Sequence, residues 1–95
     1  MKKFVLLSYG FKTPTPEIMA AWQKWFADNK ANTVEMAGFG GGVEISKSGT
    51  RTLTMDLEAI TGLVIIQAKD FAEAQMIASA NPYITSIRVY EVRGH

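Results

Sequence analysis

Asp56 and Glu58 are two carboxylates two positions apart, beside a predicted strand end. In an extended chain such a pair shares one face, and close carboxylates do acid–base work when one of them is desolvated. The plainer alternative for both is a solvated loop. Tyr9 closes the first apolar run and Lys12 follows it, whereas Asn81 and Tyr83 follow the second helical stretch. If those chain ends meet, Tyr9, Lys12, Asn81 and Tyr83 ring the mouth of a cleft beside the first helix. A phenol and an ammonium group there suit an anionic or phenolic ligand. Trp22 offers an aromatic plane for stacking, with core packing as its alternative. The candidate catalytic residues are thus Asp56, Glu58 and Tyr9, and the candidate ligand-binding residues are Tyr9, Lys12, Trp22, Asn81 and Tyr83.

Four of the eight glycines fall within residues 38–42, broken only by Phe39. A phosphate-binding glycine loop presents its amides at a helix N-terminus, and the Walker form adds Gly-Lys-Ser/Thr. This run is followed by VEIS, a strand pattern, and contains no lysine. It predicts a turn or bulge between strands, or a lid over a pocket. The single histidine is His95 and there is no cysteine, so neither a metal site nor a disulfide is expected. No cofactor is expected.

With 95 residues the chain fits one domain, spanning 1–95. Hydrophobic residues make up 47% and charged residues 20%, a composition that can build a core rather than stay disordered. The net charge of +1 gives no electrostatic grip on nucleic acid or an anionic membrane. The opening MKKFVLLSYG has two lysines before an apolar run, but the run is short and lacks a small-residue cleavage pattern. It reads as a strand, and the expected location is cytoplasmic.

Strands are predicted at 3–9, 33–36, 43–46, 51–55, 63–67 and 84–92, with a hairpin turn at 47–50. The first helix begins at TPTPE, where Thr13 or Thr15 caps and Pro14 or Pro16 fits the first turn. Ile18, Met19, Trp22, Trp25 and Phe26 then recur at helical spacing. The second helix opens at Asp70 with Glu73 three residues on, a capping-box pattern. Phe71, Ala74, Ile77 and Ala78 make its predicted buried stripe, and Asn81-Pro82 ends it. The order predicts an α+β fold: a ferredoxin-like split βαβ with an extra β-hairpin, its antiparallel sheet carrying two helices on one face.

Strand one puts Phe4 and Leu6 on one face, and Val5, Leu7 and Tyr9 on the other. Residues 63–66, LVII, are aliphatic on both. Two helices cover one face, and an apolar second face calls for a cover. The expected cover is a second copy, a homodimer packed through the sheet face.

Several stretches resemble the YCII-related (DGPF-like) proteins: MKKFVLL at 1–7, TPEIMAAWQKWF at 15–26, GLVIIQAKDFAEA at 62–74 and ANPYI at 80–84. The resemblance implies a dimeric α/β barrel. Some members are thought to be enzymes built on a histidine at the first strand–helix junction, with an aspartate nearby. Here that junction reads GFKTPTP, without histidine, and the D-G-P-F string is missing; the nearest region is TMDLE at 54–58. The reading that results is a small dimeric protein binding an organic ligand between helices and sheet. Two alternatives stand beside it: a non-catalytic accessory or interaction module, and a dehydrochlorinase-like lyase using acid–base residues other than histidine.

Overall fold

A computed structural model describes residues 1–93. His95 therefore lies outside the described residues. The elements run β1 (Lys2–Tyr9), α1 (Pro16–Asp28), a short 3-10 turn (Lys30–Asn32), β2 (Thr33–Gly38), β3 (Gly42–Ser46), β4 (Gly49–Leu53), β5 (Ile60–Ala68), α2 (Phe71–Ser79) and β6 (Ser86–Glu91).

Four strands form one antiparallel sheet in the order β2-β5-β1-β6. Because β5 lies between β1 and β2, those two run parallel and α1 crosses between them. Likewise β1 lies between β5 and β6, which α2 connects. This is the split βαβ arrangement of a ferredoxin-like fold. β3 and β4 pair with each other as a separate two-stranded sheet.

The register sorts side chains by face. Phe4 stands opposite Ile66 and Leu6 opposite both Val64 and Val89, and these belong to the face the helices cover. Phe4, Leu6 and Ile66 are wholly buried, joined by Trp25 of α1 and by Ala74 and Ala78 of α2. Burying a side chain of this size contributes about 1.5–3 kcal/mol. The opposite face carries Val5, Leu7, Leu63 and Ile65, flanked by Tyr9, Arg88 and Tyr90, and neither helix covers it.

Local chemistry fixes both helix starts. Thr15 Oγ1 accepts from the Ile18 amide at 3.2 Å, and Pro16 occupies the first turn. Asp70 Oδ1 accepts from the Glu73 amide at 2.9 Å. Glu73 reaches back to the Lys69 amide, also at 2.9 Å, one residue before the position a capping box would use.

Two expectations need correction. Phe71 is 46% exposed rather than buried, its ring meeting Phe4 edge-on with centroids 5.5 Å apart. At the first position of α2 it covers only the rim of the core. The hairpin turn is tighter than 47–50: Ser46 pairs with Gly49, leaving Lys47 and Ser48 as the connection. Gly49 takes φ +128°, a value glycine adopts readily, so β4 starts two residues early and ends at Leu53. Residues 56 and 58 lie in a turn before β5, the plainer of the two alternatives for them, and not in an extended segment.

Candidate ligand-binding cleft

A cleft of about 470 Å³ opens between α1 and the covered face of the sheet, at the end where β1 finishes. Its wall comes from α1. Trp25 anchors that helix, being 4% exposed and donating its indole N–H to the Ile77 carbonyl of α2 at 3.1 Å. With Trp25 fixed, Trp22 and Phe26 stand four residues apart on one helical face, stacked at 5.5 Å and 24°. Both rings line the cleft beside Ile18 and Met19, and Met36 of β2 closes the far side.

The floor is strand backbone and small side chains. Ser8 is the third inward residue of β1 after Phe4 and Leu6, buried and lining the cleft. Thr61 also lines it, donating to the Ser8 carbonyl at 3.3 Å. At Gly62 a Cβ would stand 2.9 Å from the Ala37 carbonyl, so β5 needs glycine to come this close to β2.

The mouth is set by the chain leaving β1. Gly10 has φ +107°, and a Cβ there would lie 2.7 Å from the Thr85 amide nitrogen. The Gly10 amide donates to the Ala59 carbonyl and the Phe11 amide to the Asp56 carbonyl, each at 2.8 Å. Thr85 ties the same cluster by donating its hydroxyl to the Leu57 carbonyl and its amide to the Tyr9 carbonyl. The following loop brings Lys12 to the cleft, where it is the one charged residue of the lining. Ser8, Gln23 and Thr61 supply the polar side chains and the remaining lining is apolar or backbone. Such a site offers a flat aromatic wall, one cation and hydroxyls.

Of the residues expected to gather here, Lys12 and Trp22 do. Tyr9 lines a second cavity of about 750 Å³ on the other side of the strand end, with residues 38–42, Glu44, Arg51, Asp56 and Glu58. Tyr83 lines a third, of about 320 Å³, beside α2. Asn81 is 4% exposed and lines none of these three. The chain ends do meet, as the Thr85–Tyr9 hydrogen bond records, but their side chains diverge. Ser8, Phe26, Met36 and Thr61 were not expected in the site. For Ser8 the signal was in the sequence, a hydroxyl at an inward position of an alternating strand.

Asp56 is committed locally. Its Oδ2 accepts from the Thr54 hydroxyl at 2.7 Å and its Oδ1 from the Glu58 amide at 2.9 Å. The Thr54 hydroxyl first, then the Glu58 amide, holds its carboxyl below the usual value of 3.8. At neutral pH it is an ionised turn residue, not a reservoir of protons. The 38–42 run joins β2 to β3 and leads into no helix, so it lacks the geometry of a phosphate loop.

No protein-family model and no curated protein matches the chain. Among solved structures, the chain resembles 5-chloro-2-hydroxyhydroquinone dehydrochlorinase from Burkholderia phenoliruptrix, in complex with 2,5-dihydroxybenzoquinone. The TM-score is 0.59 at 11% identity, covering 98% of this chain and 95% of the other. That likeness establishes a shared fold over nearly the full length of both chains. No helix among the described residues is long and apolar enough to cross a membrane.

Proposed function

We propose that this protein binds a small planar aromatic molecule bearing one negative charge in the α1 cleft, and that it belongs with the YCII-related proteins. The observation that carries the reading is the lining. A stacked Trp22–Phe26 wall stands opposite apolar strand residues, and Lys12 is its single charge. Ring stacking contributes roughly 0.5–1.5 kcal/mol beyond buried area. A cation with no carboxylate beside it in the lining selects an anion. The volume of about 470 Å³ falls in the range of small-molecule sites. The structural relative's ligand is also a small ring.

Binding is favoured over catalysis by what lines the cleft. A dehydrochlorinase-like elimination needs a base at the bound molecule, and Asp56 and Glu58 border the other cavity. Lys12 is the cleft's one titratable side chain.

The working unit in this reading is a cytoplasmic homodimer. The uncovered face with Val5, Leu7, Leu63 and Ile65 is the natural seat for a second copy. Sedimentation at micromolar concentration should give twice the 10.5 kDa chain mass.

The ligand test is thermal shift followed by calorimetry with hydroxybenzoates, benzamide and benzamidine. Hydroxybenzoates should stabilise the protein, and benzamidine should not. Lys12→Ala should weaken the anion about tenfold, the loss of roughly 1.4 kcal/mol. If no ring acid stabilises the wild-type protein, the reading fails.

A further inference from the structure

The α1 cleft has a floor because one row of the sheet nearly loses its side chains. Across the four strands, Met36, Val64, Leu6 and Val89 stand side by side on the covered face. Two residues further along β1, the same face carries Gly38, Gly62, Ser8 and Ile87 in that order. The close approach of β2 forbids a side chain at Gly62, and a Cβ at Gly38 would meet nothing within 4 Å. Both glycines line the cleft, so this row is bare on the β5 and β2 side of Ser8.

Ser8 is the polar side chain of that row, and it is 7% exposed. Buried hydroxyls are normally hydrogen-bonded. The Ser8 carbonyl accepts from Thr61, but its hydroxyl bonds no described residue. Among the described residues, the fully enclosed side-chain atoms without a partner all belong to Asn81. The Ser8 hydroxyl is therefore not sealed in; it is open to the cleft that Ser8 lines. Thr61 has its proton committed to the Ser8 carbonyl, and Gln23 is exposed, so Ser8 holds the free donor on the floor.

We propose that Ser8 determines specificity: its hydroxyl bonds a hydroxyl group on the bound ring, carried away from the acid group. The inference rests on the ring-acid reading of the cleft and adds a second polar substituent to the ligand. Lys12 comes to the cleft on the loop beyond Gly10, whereas Ser8 lies on the strand floor, so one ring meets the ammonium group with its acid and Ser8 with its other substituent. A bare or methylated ring edge set against Ser8 removes water from the hydroxyl and returns no bond. A phenol returns both a donor and an acceptor. A hydroxyl adjacent to the carboxylate spends its proton inside the ligand, so the meta and para positions are the ones Ser8 can read.

The test is calorimetry of wild type and Ser8→Ala with benzoate, 3- and 4-methylbenzoate, and 2-, 3- and 4-hydroxybenzoate. The methyl acids control for the size of the substituent. In the wild type, the 3- or the 4-hydroxy acid should bind about five- to tenfold more tightly than its methyl counterpart, the worth of one net hydrogen bond. 2-Hydroxybenzoate should show no such margin over benzoate. In Ser8→Ala the margin should vanish while benzoate affinity stays within about twofold, which also reports an intact cleft. Should Ser8→Ala fail to fold, the wild-type ranking carries the test: a margin for the hydroxy acid supports the role of Ser8, and hydroxy acids no tighter than methyl acids overturn it. A margin that survives in Ser8→Ala overturns it as well, since the ring hydroxyl then has another partner. In either failure, a wild type that binds benzoate keeps the ring-acid reading. A wild type that binds none of these acids overturns both.

Discussion

The guanidinium carbon of Arg88 lies 4.6 Å from the centroid of the Tyr9 ring. The two side chains meet diagonally across β6 and β1, on the face the helices leave open. Tyr9 therefore faces away from Lys12, with a strand between the phenol and the α1 cleft. A cation–π pair at an exposed site contributes about 0.5–1 kcal/mol. Arg88→Ala should therefore lower stability by no more than that, read from urea midpoints. Tyr9→Phe should leave the affinity of a cleft ligand within about twofold by calorimetry, in contrast to Lys12→Ala. A tenfold loss in Tyr9→Phe would put the phenol in the binding site after all.

The alternation of β1 already held this result. Tyr9 shares parity with Val5 and Leu7, not with Phe4, Leu6 and Ser8. The fold was legible because such periodicities, the Thr15 and Asp70 caps and the Pro breakers all agree with one topology. The site was harder, since it depends on where loops turn. Asp56 shows why: an aspartate that accepts from the amide two residues on closes its own turn, and the Asp56–Glu58 spacing alone does not tell that turn from an extended pair. Lys12 and Trp22 could be anticipated because one follows the strand and the other sits on the helix stripe. Thr61 could not, because the β1–β5 register shifts beside Ser8 and Tyr9, and no local pattern announces that shift.

Gly10→Ala should be among the most damaging single changes available. The position demands a left-handed φ, which costs a residue with a Cβ about 1–3 kcal/mol. The added carbon would also meet the Thr85 backbone nitrogen at 2.7 Å, which must shift. A loss of at least ~2 kcal/mol in chemical denaturation is expected, with weakened ligand binding because the loop carrying Lys12 leaves here. Gly40→Ala is the control. Nothing lies within 4 Å of its Cβ position and its φ is not left-handed, so stability should stay within about 0.5 kcal/mol. A strong loss at Gly40 would mean that the 38–42 run has a conformational demand of its own.

Asp56 gives stability a specific acid dependence. Its folded pKa lies below the ordinary 3.8, so its contribution is complete above that value and is lost as pH falls through the folded pKa. At pH 7, Asp56→Asn should be less stable than the wild type, since Asn offers one acceptor oxygen where the carboxylate offers two. Near pH 2.5 the gap should narrow, because the wild-type carboxyl is then becoming neutral as well. Urea midpoints of both proteins at the two pH values test this. A gap that is constant or widens in acid would show that the Thr54 and Glu58 hydrogen bonds do not favour the ionised form.

Asn81 presents the opposite situation, a buried carboxamide that no described residue of the chain pairs with. It is 4% exposed, and neither Nδ2 nor Oδ1 has a hydrogen-bond partner among the described residues. Its backbone is satisfied, donating to Ala78 and accepting from Tyr83, so the residue's helix-ending role does not need the carboxamide. Burying an amide without partners costs about 1–3 kcal/mol, and an apolar side chain of similar volume avoids that cost. Asn81→Leu should therefore raise the melting temperature; a 1 kcal/mol gain corresponds to about 4–8 °C in a domain of this size. Asn81→Asp should do the reverse, since it places an unpaired charge in the same spot. If Asn81→Leu instead destabilises the protein, the carboxamide has a partner outside the chain, a bound water or a ligand.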